Sequence, residues 1–455
     1  DVYKRQGEVP HYVTTNPRQA NAYAEMAISL YQDLKEKGGG KAPAQIQILE
    51  VGGGAGRFAY YFLKRLHWHC KNAGIPIDAF RYILSDFAQK NLDFWKIHPR
   101  FADFFEAGVL DIARFDAVQL GPLELQFSEE TIGEVDLDAP IIVVANYLFD
   151  SIPQELIYFG EEGAQRCLAT LNIPEQFEIA AASAKLAEVE LSYTLEKPNA
   201  QIFESDWLNG LLSPYLASPQ NGFVLFPAYG LECLAYLKNL SKAGMLLMSA
   251  DKGSHTVSHV IQNQPPALAA HGSFSLNANF HALAHYCEQT GGRTVFPSYP
   301  YKSINTGCLL FLEEAESFGN CWRTAQNTFA ETGPGIYYGI YRSFRNHLNE
   351  FQIDELMHAL RLGLYDSHQL AVYSPMILKT ISNYNEADKE ALLSIFSKCW
   401  DNYFALAEER DFGLILGSLC YEMDAYEAAI FYFEKSTNIY GAYSGTFYNL
   451  CLLYT

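Results

Sequence analysis

Hydrophobic positions along the chain follow two rhythms. Between residues 16 and 318, short apolar runs alternate with stretches in which apolar residues return every third or fourth position. The first such stretch carries its own punctuation: Asn16 can cap a helix, Pro17 suits its first turn, Ala20, Tyr23, Ala27, Leu30 and Leu34 form one face, and Gly38, Gly39 and Gly40 end it. Residues 46–51, 82–85 and 141–145 read as buried strands, and 58–66 as a helix following the first. Strand and helix alternating in this way predict an α/β fold with a doubly wound, mostly parallel sheet covered on both faces. Residues 160–220 break the rhythm with a Glu- and Ala-rich stretch followed by Phe203, Trp207, Leu211, Leu212 and Tyr215. They are expected to be an insertion near the site, either a substrate-facing lid or a surface elaboration. The alternation resumes with strands at 223–226, 245–249 and 308–312 and helices at 231–240 and 279–290, so one α/β domain is expected over 7–318.

A stretch containing Gly333, Pro334 and Gly335 is expected to form a linker over 319–345, and the pattern of 346–455 is helical only. Leu392, Ile395, Phe396, Cys399 and Tyr403 mark one helical stripe, with Asn385 as its cap. Farther on, Leu416 and Gly417 are followed by Tyr426, Ala429 and Phe433. Those offsets resemble a tetratricopeptide repeat (TPR), in which a small residue lets two helices approach while Ala and aromatic knobs pack between them. One repeat length of about 34 residues past Gly417 falls just after Phe447, Tyr448, Asn449 and Leu450, where a second repeat is expected to begin. Residues 1–6 and 450–455 resemble translated sequencing-adapter sequence, so both are set outside the fold and the natural chain is expected to continue.

Composition narrows the function classes. The 455 residues are 49% hydrophobic and 18% charged, a globular composition with room for two or three domains. Against 52 acidic residues stand 32 Lys and Arg, a formal charge of −20 with no basic run, which argues against a nucleic-acid partner held through its phosphates. No apolar segment approaches the roughly 18 residues of a membrane span, so no membrane partner is expected. The nine cysteines are scattered and include no C-x-x-C pair, which argues against a disulfide framework or a cysteine zinc site and for a reducing, cytoplasmic setting. His255 and His259 are four apart, but no Glu lies between them and the Ser, Thr and Val neighbours oppose a regular helix, so no metal site is expected.

The most specific local feature is Glu50-Val51-Gly52-Gly53-Gly54-Ala55-Gly56, at the end of a strand and the start of a helix. Glycines at 52, 54 and 56 allow a tight turn and a close approach of ligand to backbone. A dinucleotide fingerprint would need its third glycine at 57, which is Arg57, and the Gly-Lys-Ser/Thr of a phosphate loop is missing. Glu50 places a carboxylate where pyrophosphate would have to sit, so the loop suits a cationic or amine-bearing ligand.

This acidic G-x-G-x-G loop resembles the first motif of class I S-adenosylmethionine-dependent methyltransferases. The resemblance implies S-adenosylmethionine as cofactor, its methionine moiety held by Glu50, Gly52, Gly54 and Gly56. It implies further that Asp86, ending the second strand, bonds the ribose hydroxyls, and that Asp111, with the third, approaches the adenine amine. A narrower resemblance is to MidA-like methyltransferases, a group that includes a mitochondrial protein-arginine methyltransferase acting in complex I assembly. Asn146-Tyr147-Leu148-Phe149-Asp150-Ser151-Ile152-Pro153 is similar to their N-E-x-x-D-A-x-P segment, and Asp251-Lys252-Gly253 to their D-Y-G. Ser275-Leu276-Asn277-Ala278-Asn279-Phe280, followed by Leu283 and Ala284, is similar to their D-L-T-x-x-V-D-F…L-A stretch. Tyr147 replaces the motif Glu and Lys252 the motif Tyr, which removes a carboxylate that a guanidinium acceptor would use.

On this reading Asn146 orients the methyl acceptor through its side-chain carbonyl, Asp150 is the base or cation anchor, and Tyr147 is a wall or hydroxyl donor. The bland alternative makes Asn146 and Asp150 a strand-end turn and helix cap. The expected function is methyl transfer to a protein side chain held with help of the TPR-like region. Two alternatives stay open: an interaction scaffold that binds the cofactor without turnover, and a small-molecule methyltransferase.

Overall fold

Asn16 caps the first helix, α1 (Pro17–Lys37), by accepting the Gln19 amide at 2.9 Å, and the helix ends at Gly38 as its sequence requires. The structure, a computed structural model, describes residues 11–173, 190–266, 276–298, 304–406, 408, 410–441 and 443–454. The adapter-like residues 1–6 and Thr455 lie outside them, as does Ser275, whereas 450–454, expected outside the fold, continue the last helix, Ser444–Tyr454, with Leu450 buried in the helical core.

The central sheet has seven strands: β1 (Ile46–Val51), β2 (Phe80–Asp86), β3 (Leu110–Arg114), β4 (Ile141–Asn146), β5 (Met245–Asp251), β6 (Arg293–Val295) and β7 (Asn305–Phe311). Their spatial order is β6-β7-β5-β4-β1-β2-β3. The pairs β1/β2, β2/β3, β1/β4 and β4/β5 are parallel, whereas β7 runs antiparallel to both β5 and β6. Residues of β1, β5 and β7 are buried throughout, because helices cover both faces. Alternate side chains therefore enter different cores: Ile48 packs with α1 and with Phe62 of α2 (Arg57–Ala73), while Leu49 packs with Phe149, Leu231 and Leu283 on the other face.

Two expectations change. The stretch 319–345 is not a linker: it forms helices Gly319–Ala325 and Pro334–Asn346 with the turn-wide Gln326–Glu331 between them. Cys321, Ala325 and Phe329 are fully buried in the α1-side core. Gly333 and Pro334 there start a helix, Pro334 standing in its first turn, where its missing amide costs nothing. The strand Gly222–Phe226 does not join the central sheet. It pairs antiparallel with Glu155–Gly160 in a separate four-stranded sheet completed by Gly163–Asn172 and Glu190–Leu195. The insertion thus begins near residue 155, and its residues 174–189 lie outside the described ones.

The C-terminal region is helical, with Ile353–Leu362, Ser367–Thr380, Glu386–Asp401, Phe412–Glu422, Tyr426–Tyr440 and Ser444–Tyr454. Asn385 caps the third of these by accepting the Asp388 amide at 3.0 Å. Gly417 packs so closely on the following helix that an added Cβ would sit 2.5 Å from the Phe433 ring, with Ala429 fully buried beside it. The turn after Asp401 fastens this region to the α/β domain. Phe404 is buried in the α1-side core with its ring stacked on His98 at 3.7 Å. Arg57 pairs with Glu408, and Arg100 donates to the Trp400 and Tyr403 carbonyls. Near the N-terminus, Tyr12 donates to Asp366 at 2.8 Å and packs on Tyr341, so the aromatic stretch around residue 340 is interdomain packing. Among the described residues no helix is long and apolar enough to cross a membrane.

Candidate functional site

In an open α/β sheet, ligands bind outside the carboxyl ends of the strands where the strand order reverses. Here that point lies between β1 and β4. Leaving β1, the chain turns through Gly52, Gly54 and Gly56 at φ of 74°, 54° and 78°. A Cβ added at Gly52 or Gly54 would meet nothing within 4 Å, so both face open space and are glycine for their left-handed backbone. At Gly56 a Cβ would also meet the Trp95 indole nitrogen at 2.9 Å, and that indole donates to the Gly54 carbonyl at 3.1 Å.

Glu50 stands beneath this turn, buried, with its carboxyl accepting the Tyr82 hydroxyl at 2.7 Å and its carbonyl accepting Ser85 Oγ at 2.7 Å. Burial pushes its carboxyl up to about 8; the Tyr82 hydrogen bond opposes this and the negative charge of Asp86 adds to it. Asp86, at the end of β2, accepts the Gly54 amide at 3.0 Å, the Asn91 side-chain amide at 2.9 Å and the Ala88 amide at 2.9 Å. It is therefore brought to the glycine turn, and it holds the turn's shape. Next to it Phe87 is 67% exposed, an aromatic face on the rim that the sequence reading passed over.

Asp111 is not brought to this edge. It pairs in register with Ile83, three residues before the end of β2, or about 10 Å short of the site at about 3.3 Å per residue. Its carboxyl is buried and accepts the backbone amides of Phe127 at 3.0 Å and Ser128 at 2.9 Å. Expected at a strand end, the Asp111 carboxyl instead lies near the start of β3, fixing a loop.

Across the switch point, Asn146 ends β4 and its side-chain carbonyl accepts the Tyr23 hydroxyl from α1 at 3.0 Å. Tyr147 takes a left-handed φ of 55° and donates its amide to the Ala250 carbonyl at 2.9 Å. Asp150 lies in the turn that follows, with no helix for it to cap, and accepts the Ser151 hydroxyl at 2.7 Å. Burial raises its carboxyl above the usual range. Asp251, ending β5, has no exposed surface and accepts the Phe149 amide at 2.8 Å; burial and then the neighbouring Asp150 push it well above the usual carboxylate range. Over these strand ends lies Val13, packed with Ala250, Ile304, Tyr147 and Tyr338. Asn279, from the third resembling segment, caps the helix Phe280–Gln289 by accepting the Ala282 amide at 3.0 Å.

Glu50, the glycines and Asp86 thus share one side of the switch point, and Asn146 and Asp150 the other. The sequence singles out Asp251 only as the Asp of the segment similar to D-Y-G, with no role attached, and gives Tyr23, Tyr82 and Trp95 no place in the site. Among the described residues no group of three or more His, Cys, Asp or Glu could hold a metal ion. His255 stacks on Phe296 at 4.7 Å.

No protein-family model matches this chain. No curated protein matches it either. Among solved structures, a COG1565-superfamily member from Burkholderia thailandensis bound to S-adenosyl-homocysteine is similar at TM-score 0.39 and 10% identity, covering 67% of this chain and 81% of that one. A SAM-dependent methyltransferase from Aquifex aeolicus is similar at TM-score 0.26 and 10% identity, covering 63% and 92%. At these values the likeness is remote, and the functional reading stands on the chain's own residues.

Proposed function

We propose that this chain is an S-adenosylmethionine-dependent methyltransferase of the MidA-like kind. The observation that carries the reading is Glu50, a buried carboxyl under an open glycine turn at the topological switch point, with no cation paired to it among the described residues. A dinucleotide pyrophosphate would meet two acids there, Glu50 and Asp86, whereas a ligand with an ammonium and a sulfonium supplies the charge they lack. The residues present therefore fit this cofactor. Glu50, Gly52, Gly54 and Gly56 would hold its methionine moiety and Asp86 its ribose hydroxyls, and Phe87 offers a flat apolar face alongside. When bound, the cofactor supplies a methyl group already activated for displacement.

The chain's own part is then positioning and proton handling. Asn146, held by Tyr23, presents a carbonyl to an acceptor N–H or O–H. Asp150 takes the proton, and Tyr147, fixed by its left-handed backbone, walls the acceptor side. The C-terminal hairpin built on Gly417, Ala429 and Phe433 supports a TPR-like region, whose stacked helices suit a polypeptide. A protein side chain is accordingly the proposed acceptor, in a cytoplasmic setting.

Tyr147 and Lys252, which stand where the resembling motifs carry Glu and Tyr, favour a second reading in which the domain binds the cofactor as part of a scaffold without turnover. Titration calorimetry of the full chain with S-adenosylmethionine, its demethylated product and NAD tests the common ground of both. Micromolar binding of the first two and none of NAD is expected; binding of NAD alone overturns the proposal. Transfer of labelled methyl to protein in a cell lysate then separates enzyme from scaffold.

A further inference from the structure

Asp251 presents an unusual balance of charge at the carboxyl edge of the sheet. Its side chain is fully buried and Oδ2 accepts the Phe149 amide at 2.8 Å; the Asp150 amide also faces the carboxyl, but Oδ1 is buried and makes no hydrogen bond of good geometry. What faces it is the carboxyl of Asp150, within hydrogen-bond reach. Two carboxylates facing each other away from water repel unless a proton lies between them. The other titratable groups facing the pair are the phenols of Tyr23 from α1 and Tyr147 from the turn after β4, both raised by burial and so neutral, and Lys252, which is exposed and acts on Asp150. No cation therefore neutralises Asp251 among the described residues.

We propose that Asp150 and Asp251 share one proton, carried by Asp251 and donated to Asp150, and that Asp251 is the positioning residue that keeps Asp150 a carboxylate aimed at the methyl acceptor. The inference rests on the methyl-transfer reading of this edge. Asp251 is the deeper of the two and loses more hydration, so it keeps the proton. Asp150, with the Ser151 hydroxyl on Oδ1 and Lys252 beside it, keeps the negative charge. In the transfer a bond forms between the acceptor atom and the methyl carbon, and the methyl–sulfur bond breaks with its electron pair remaining on sulfur. The acceptor's N–H or O–H proton passes to Asp150, which leaves the pair neutral with two protons.

Infrared difference spectroscopy on the full chain without ligand reads the pair directly. At pH 7.5 the protein minus its Asp251→Asn variant is expected to show the loss of a protonated-carboxyl C=O band. The Asn can still accept the Phe149 amide and donate to Asp150, so the fold is kept. Protein minus Asp150→Asn is expected to show the loss of ionised-carboxylate bands instead. Carboxylate bands lost in the Asp251→Asn difference, with no protonated C=O band among them, would overturn the assignment. Neither spectrum needs cofactor. A chain with the expected bands that binds no S-adenosylmethionine keeps the shared proton and sinks the methyl-transfer reading; one that binds it without the bands does the reverse.

Discussion

Burying Glu50 under the glycine turn weakens the free protein in a way that depends on pH. An ordinary glutamate has a pKa near 4.3, and in the fold this one rises to about 8, so the folded state favours the protonated form. The stability that the neutral carboxyl contributes is fully present below about pH 4 and is lost as pH climbs toward about 8. Glu50→Gln keeps an acceptor for Tyr82 and removes that loss. Its thermal stability relative to the parent should improve by about 3–5 kcal/mol between pH 5 and pH 9, read from melting curves, while cofactor binding falls. A constant difference across that range would mean that Glu50 is ionised in the fold. Asp86 and Asp111 are also buried acids on neighbouring strands, but they differ in where their strands put them. Asp86→Ala should weaken cofactor binding by about 1.5–3 kcal/mol, because it removes both a ligand group and the Gly54 anchor. Asp111→Ala should leave cofactor affinity unchanged and lower stability by about 1–3 kcal/mol through the unpaired Phe127 and Ser128 amides. Calorimetry and melts on the two variants check the contrast.

Elements with strong local signals were legible in the sequence, and those decided by distant partners were not. α1 is specified by Asn16, Pro17 and its glycine stop, and β1 by an apolar run on the expected residues. The strand at 222–226 has the same apolar character, yet its antiparallel partner at 155–160 decides its sheet, and nothing local announces that pairing. The helices at 319–346 were hidden for a related reason: a glycine–proline pair marks a helix start as readily as a break, and only the burial of Phe329 chooses. At the site, the glycine turn and Asp86 were legible because backbone conformation and strand ends leave a local trace. The misplacement of Asp111 and the missed partnership of Asp150 with Asp251 come from register and from contact across about 100 residues, which no local pattern encodes. The helical hairpin was readable from Gly417, and its packing is testable. Gly417→Val drives side-chain carbons into the Phe433 ring, and should cost about 1–3 kcal/mol by chemical denaturation. An unchanged midpoint would mean that these helices stand farther apart.

Across the molecule, the helical region is fastened next to the site. Arg57, which pairs with Glu408, directly follows the glycine turn, and Phe404 is inserted against His98 and Tyr60. Phe404→Ala should cost about 3–5 kcal/mol, and hydrogen exchange should rise both in residues 400–412 and in the first turn of α2. Exchange confined to 400–412 would show that the fastening does not reach the glycine turn. The central claim, that Glu50 reads a positive charge on the cofactor, is tested most directly by counting protons on binding. S-adenosylmethionine is titrated into the full chain at pH 6 and at pH 9, each in two buffers of different ionisation enthalpy. Ionisation of Glu50 against the bound cation predicts close to one proton released per cofactor at pH 6, where the free carboxyl is protonated, and a release that has vanished at pH 9. Binding with no proton released at pH 6, or no binding at either pH, would contradict it.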